Sequence, residues 1–263
     1  MRSDVEDRVI CFYSKYPYPT IRFPFGKRHR QFVSRLVSLW RFSPDSIKGK
    51  EVLDAGCGTG EKSLLLAHMG ARVTAVDICP AQVERARALA RKYGQDIEFK
   101  VADVTTLDLG RKFDGIICSG VLHHTVDPHE GFRRLCSHLR PGGRILIGLY
   151  NAYSRAHYRM ARAVLHTAFD GDPDRIMSFI AKSPLAAPLR TASLPTLYDR
   201  YAVPHESYHT LGEVRRLFES NGLRICTVYP AEVFNSDLLT QLSWLVSGKS
   251  FFFVAGEKLR SGP

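Results

Sequence analysis

"EVLDAGCGTG" at residues 51–60 runs directly into "EKSLLLAHMG" at 61–70, and the reading of this junction decides the fold. Glu51–Ala55 is a short, mostly apolar run of the kind a parallel strand presents when both its faces are covered. The residues after Gly60 place apolar side chains at helical spacing. Between them glycine stands at alternate positions, Gly56, Gly58 and Gly60. A glycine-rich turn from strand to helix lets the backbone approach a ligand closely, because no Cβ stands between them. Such a turn can hold a phosphate, a dinucleotide, or a nucleoside with no phosphate.

Outward from the turn, strands and helices alternate. "ARVTAVDI" (71–78) reads as a second strand; its helix begins at Pro80, a proline at the first helical position, and stops at Gly94. "IEFKVAD" (97–103) is a third strand and "FDGIICSG" (113–120) a fourth. "HEGFRRLCSHLRPGG" (129–143) is expected as a helix ended by Pro141 and the glycines, followed by a fifth strand, "RILIGLY" (144–150). Strands alternating with helices predict an α/β fold, a parallel sheet with helices on both faces. Residues 151–205 break the pattern: they hold helical pieces rich in Tyr, Arg and Pro and no convincing strand. An insertion of that length is usually a lid or binding element. The alternation resumes with "TLGEVRRLFESNG" (210–222), where Thr210 is the expected N-cap, Glu213 its capping-box partner and Gly222 the stop. "LRICTVYP" and "FFFVAGEK" are the last strands, with a helical "SDLLTQLSWLV" between them. The chain thus divides into an N-terminal helical cap (1–50), a ligand-binding core (51–150), an insertion (151–205) and the end of the core (206–263).

The 263 residues carry a formal charge of +11. More than half of the excess lies in the first fifty residues, around "FGKRHRQ" (25–31). No longer Arg/Lys block occurs, so a solvated basic surface competes with nucleic acid binding. The six cysteines include no CxxC pair, so metal spacing is absent and no metal is expected. The opening "MRSDVEDR" is unlike a signal peptide and no apolar run approaches spanning length, which leads us to expect a cytoplasmic protein with free thiols and no membrane span.

Three ligands compete for the glycine turn. A triphosphate loop needs Lys and Ser/Thr after its last glycine, but Gly60 is followed by Glu61. A dinucleotide fold expects GxGxxG, whereas the spacing here is GxGxG, with Asp54 an awkward charge beside a pyrophosphate. The third candidate, S-adenosylmethionine (SAM), is a cation that suits acids. Asp54, Asp77 and Asp103 stand in order at the carboxyl ends of three successive strands. Asp77 can accept two hydrogen bonds from a ribose diol.

"VLDAGCGTG", "VDI", "AD", "FDGIICSGVLHH" and "LRPGGRILIGLY" together resemble the motifs of the class I SAM-dependent methyltransferases, densely over residues 51–150 and more loosely over the last strands. The resemblance implies a Rossmann-like, seven-stranded, mostly parallel sheet whose last strand is antiparallel, and S-adenosylhomocysteine (SAH) as product. By resemblance, Asp54, Gly56, Cys57, Gly58 and Gly60 surround the methionine arm, Asp77 and Ile78 the ribose, and Asp103 and Val104 the adenine. Ser119 and Gly120 form the floor near the sulfonium. The motifs do not identify the methyl acceptor.

A general base is needed if the acceptor enters protonated. His123 and His124 are candidates, although such a pair often only shapes this turn. Some quinone-pathway O-methyltransferases hold a divalent metal through glutamates here; the aligned positions, Gly120 and His123, depart from that pattern. A second cluster, "LYDRYAVPHESYHTLGEV" (197–214), offers His205, Tyr208 and Tyr201 as an acceptor site, with a solvated lid as the competing reading. "FYSKYPYPT" (12–20) is a stiff segment whose Tyr16 and Tyr18 are candidates to close over the cofactor. The leading expectation is methyl transfer to a small organic acceptor in biosynthesis. RNA (tRNA) methylation, non-catalytic SAM binding and a dinucleotide-dependent oxidoreductase remain as alternatives.

Overall fold

A computed structural model describes residues 4–17, 24–189 and 193–260 of the chain. Two helices come first, α1 (Asp4–Lys15) and α2 (Lys27–Leu39), then a short α3 (Pro44–Ile47). The core follows as β1 (Glu51–Ala55), α4 (Glu61–His68), β2 (Arg72–Asp77), α5 (Pro80–Lys92), β3 (Glu98–Val101), β4 (Phe113–Ser119), α6 (Pro128–Ser137) and β5 (Leu139–Tyr150). The insertion contributes α7 (Ala156–Ala168), α8 (Pro173–Lys182) and the short α9 (Leu194–Leu197). It is followed by α10 (Leu211–Ser220), β6 (Leu223–Tyr229), α11 (Asp237–Val246) and β7 (Phe251–Lys258).

The seven strands form one sheet in the order β3-β2-β1-β4-β5-β7-β6, with β7 antiparallel to both of its neighbours. The order reverses between β1 and β4, and ligands of open α/β sheets bind outside the carboxyl ends of the strands at that reversal. Along the inner strands successive side chains enter opposite cores, as the two-residue period of a strand requires. Ile116, Ile145 and Ile147 pack on the side of α6, α10 and α11, with Phe132, Phe218 and Trp244. Ile117 and Leu146 pack on the side of α2, α4 and α5, with Val37, Leu66 and Ala86. A third cluster joins Phe12 of α1 to the insertion through Leu165, Ile176, Ile180 and Tyr201.

Two boundaries differ from the sequence reading. α6 ends at Ser137 and β5 already begins at Leu139, whose side chain is buried and whose backbone pairs with Phe113. The register between β4 and β5 then shifts before Gly115↔Arg144, so Pro141–Gly143 form a bulge within a strand rather than a helix stop. The N-terminal cap also packs against the sheet. Val33, Leu36, Val37 and the fully buried Trp40 enter the core beneath the sheet, and Trp40 Nε1 donates to the Arg144 carbonyl at 2.8 Å. The predicted capping box at α10 is present, with Thr210 and Glu213 bonded reciprocally. The insertion is closed at its base: His209 N donates to Tyr150 O at 2.9 Å and Ala152 N to His209 O at 3.0 Å.

Candidate active site

The glycine turn is fixed by β2. Gly56 N and Cys57 N donate to the Val76 carbonyl at 2.8 and 2.9 Å, and Gly58 N donates to Asp77 Oδ2 at 2.9 Å. All three glycines have positive φ. A Cβ at Gly56 would lie 2.0 Å from Val121 Cγ2, and one at Gly60 would lie 2.7 Å from Ala86 Cβ. Gly60 therefore serves the close packing of α4 on α5. A Cβ at Gly58 would meet nothing within 4 Å, because the turn there borders a cavity of about 570 Å³.

One half of this cavity carries acids. Asp77, Ile78, Ala102, Asp103 and Val104 line it from the ends of β2 and β3, with Ser119 and Gly120 from β4. Asp77 Oδ1 also accepts from Cys79 N at 2.9 Å; burial raises its pKa, against the pull of the two backbone donors. Asp103 Oδ1 accepts from Thr105 N at 2.8 Å. Glu61 and Lys62 of α4 and Glu6 of α1 complete the charged wall. This donor set fits an adenosyl cation: carboxylates for ribose hydroxyls and an exocyclic amine, apolar Ile78 and Val104 for a purine, and an open glycine backbone.

The other half is built by His124, Tyr150 and the insertion. The Tyr13 and Tyr150 hydroxyls both donate to Asp199, at 3.1 and 2.8 Å. Burial first, then the Asp199 charge, pushes both phenol pKa values well up, so both remain neutral donors. His124 Nδ1 lies 2.8 Å from the His205 carbonyl. A carbonyl only accepts, so Nδ1 carries a proton, and the ring nitrogen left to exchange one is Nε2. Nε2 is 3.8 Å from Asp199 Oδ1, and both residues line the cavity. Arg155 stacks its guanidinium 3.4 Å over the Tyr150 ring and reaches Glu206 at 3.3 Å. Arg162 and the Tyr208 hydroxyl hold the same, almost fully buried carboxylate.

Several expected residues are not brought to the cavity wall. Asp54 is fully buried, paired with Lys62 Nζ at 2.8 Å and accepting from Ser63 Oγ at 2.6 Å, so its charge is spent beneath the turn. Tyr16 stacks on Tyr198 at 4.3 Å, donates to Asp174 and does not line this cavity. Tyr18 lies outside the described residues. His123 is fully buried and stacked on Tyr150 at 3.7 Å; burial lowers its pKa well below the ordinary value and keeps it neutral. Tyr201 belongs to the insertion's own core. His205 and Tyr208 stand behind the wall, the His205 carbonyl on His124 Nδ1 and the Tyr208 hydroxyl on Glu206. In their place the structure brings forward Tyr13, Tyr150, Arg155 and Asp199. Asp199 and Tyr13 lay inside quoted clusters, and Arg155 opens a helix in the insertion. Only tertiary contact between α1 and the insertion distinguishes them from their neighbours.

Among the described residues no three His, Cys, Asp or Glu side chains are grouped as a metal would need. All six cysteines are free, and burial pushes the Cys118 thiol up to about 12. No helix of the described residues is long and apolar enough to cross a membrane.

A family model described as "Methyltransferase domain" matches residues 52–143. The chain is 32% identical over 192 residues to a ubiquinone biosynthesis O-methyltransferase of Xanthomonas campestris pv. campestris, covering 70% of this chain and 78% of the relative. A protein of the same name from Methylocella silvestris is 39% identical over 113 residues, 42% of this chain and 44% of the relative. Among solved structures, magnesium protoporphyrin IX methyltransferase from Synechocystis PCC 6803 with bound SAH superposes with a TM-score of 0.62 at 19% identity, over 97% of this chain and 100% of that one. The [4+2]-cyclase SpnF shares the architecture at a TM-score of 0.58 and 14% identity, over 97% and 94% of the two chains, so the fold alone does not specify methyl transfer. Sequence relatedness together with an acid-lined cavity over a GxGxG turn places the chain in the class I SAM-dependent methyltransferases, enzymes that take SAM as methyl donor.

Proposed function

We propose that the enzyme methylates a hydroxyl group of a small organic acceptor in a biosynthetic pathway, with His124 as general base and Asp199 as its partner. The O-methyltransferase names of the relatives support an oxygen acceptor. The observation that carries the reading is the 2.8 Å contact of His124 Nδ1 with the His205 carbonyl, which fixes a proton on Nδ1 and leaves Nε2 as the nitrogen to act as base. SAM supplies a methyl group already activated on a sulfonium. The protein then aligns the acceptor, excludes water and removes one proton. His124 Nε2 takes the acceptor's proton as the methyl carbon exchanges its bond to sulfur, which keeps the electron pair and leaves in SAH, for a bond to the acceptor oxygen, and Asp199 stabilises the resulting imidazolium. Tyr150, Phe251 and Phe253 offer aromatic faces on the acceptor side, and Arg155 holds Tyr150 in place.

His124→Gln keeps an amide in place of the ring and removes the base. The expected result is a fall in kcat of roughly 10²–10⁴-fold, with SAM affinity by calorimetry unchanged. An unaltered kcat would remove His124 from the chemistry.

A further inference from the structure

α11 is a helix with two unlike faces. Thr240, Gln241 and Trp244 are buried; Gln241 Oε1 accepts from Leu211 N at 2.8 Å, and Trp244 enters the core beside Phe252. The opposite face carries Leu238, Leu239, Leu242, Leu245 and Val246, which are 50, 49, 38, 42 and 90% exposed. At 100° per residue these five occupy an arc of about 120°, the width of stripe that an amphipathic helix turns toward a core. Here it faces outward. Val233 and Phe234, just ahead of the helix, are 64 and 48% exposed. This one segment thus holds seven of the fifteen exposed large apolar side chains among the described residues.

We infer that this face is a two-fold interface with a second copy of the chain, α11 packing against its twin. The area suits such a partner. Together the seven side chains expose on the order of 600 Å² of apolar surface, at the upper end for a lone monomer and approaching the ~800 Å² per partner of a standard interface. The charge pattern selects a protein partner over a lipid surface. Residues 231–248 contain no Lys or Arg and two acids, Glu232 and Asp237. Interfacial membrane helices are instead flanked by cations that meet anionic headgroups. Both acids are paired with Arg215, so neither stands as a free charge to oppose its own copy. An apolar patch carried mainly on one helix can be self-complementary across a two-fold axis. α11 also lies between the carboxyl end of β6 and the start of β7, on the sheet edge where the cavity opens. The interface would therefore brace the strand that contributes Phe251 and Phe253 to the site.

Light scattering on the purified full chain tests this. At micromolar concentration the expected mass is twice the 29.6 kDa of one chain. Leu242→Glu and, separately, Val246→Glu should each reduce it to one chain with an unchanged circular dichroism spectrum. Both positions are exposed, so a charge there leaves the fold intact. A wild-type chain that is monomeric overturns the inference, whether or not it floats with anionic vesicles or retains another protein. A dimer that survives both substitutions overturns it as well.

Discussion

Asp77 holds the N–H groups of Gly58 and Cys79 on its two oxygens and still faces the cavity, so one carboxylate both shapes the glycine turn and offers lone pairs to a ligand. Asp77→Ala is expected to weaken SAM binding by about 1.5–3 kcal/mol, the worth of a hydrogen bond to a charged group, which is roughly 10- to 150-fold in Kd. Calorimetric titration measures this directly, and an unchanged Kd would detach Asp77 from the cofactor. Asp54 and Asp77 end neighbouring strands and look alike in sequence, yet one is spent on Lys62 and Ser63 while the other lines the cavity. The difference lies in the side-chain alternation of the strand and in a lysine on the following helix. The order of acids along the chain does not reveal it. Similarly, adjacent His123 and His124 diverge because one ring stacks on Tyr150 and the other meets the His205 carbonyl.

At the scale of elements, the end of the insertion and the start of α10 form an electrostatic joint. Glu213 closes the capping box of α10 and also takes His209 at 3.1 Å and His129 of α6 at 2.9 Å. The His209 hydrogen bond, followed by that from His129, outweighs burial and holds the Glu213 carboxyl down at about 2 from a reference of 4.5. A depressed carboxylate contributes stability that is complete above its unfolded pKa and is lost as pH falls through the folded value. Stability to urea should therefore decline from about pH 4.5 toward about pH 2. Glu213→Gln keeps a capping side chain and should flatten that part of the decline; identical pH dependence in both proteins would show that the joint carries no linkage. The strands and helices of the core were legible from period and punctuation, since each is a local pattern. The α6–β5 boundary was not. Pro141 and the following glycines read as a helix stop, but pairing of Leu139 with Phe113 draws the chain into the sheet earlier.

Across the whole molecule, the acid-bearing half of the cavity was readable as a group because successive strand ends deliver it in chain order, at Asp77, Ile78, Asp103, Val104, Ser119 and Gly120. The other half was not, because it is assembled from distant segments: Tyr13 in α1, His124 after β4, Tyr150 at the end of β5 and Asp199 in the insertion. No spacing rule joins residues 186 positions apart, such as Tyr13 and Asp199. The resulting cavity is graded, with carboxylates where a cationic nucleoside would sit and a histidine with neutral phenols where a hydroxyl would lose its proton. A crystal structure of the full chain with SAH tests that arrangement most directly. The account predicts adenine against Asp103 and Val104, ribose hydroxyls on Asp77, and the sulfur turned past Ser119 and Gly120 toward His124, Tyr150 and Asp199. SAH bound elsewhere, or with its sulfur turned away from His124 and Asp199, would contradict it.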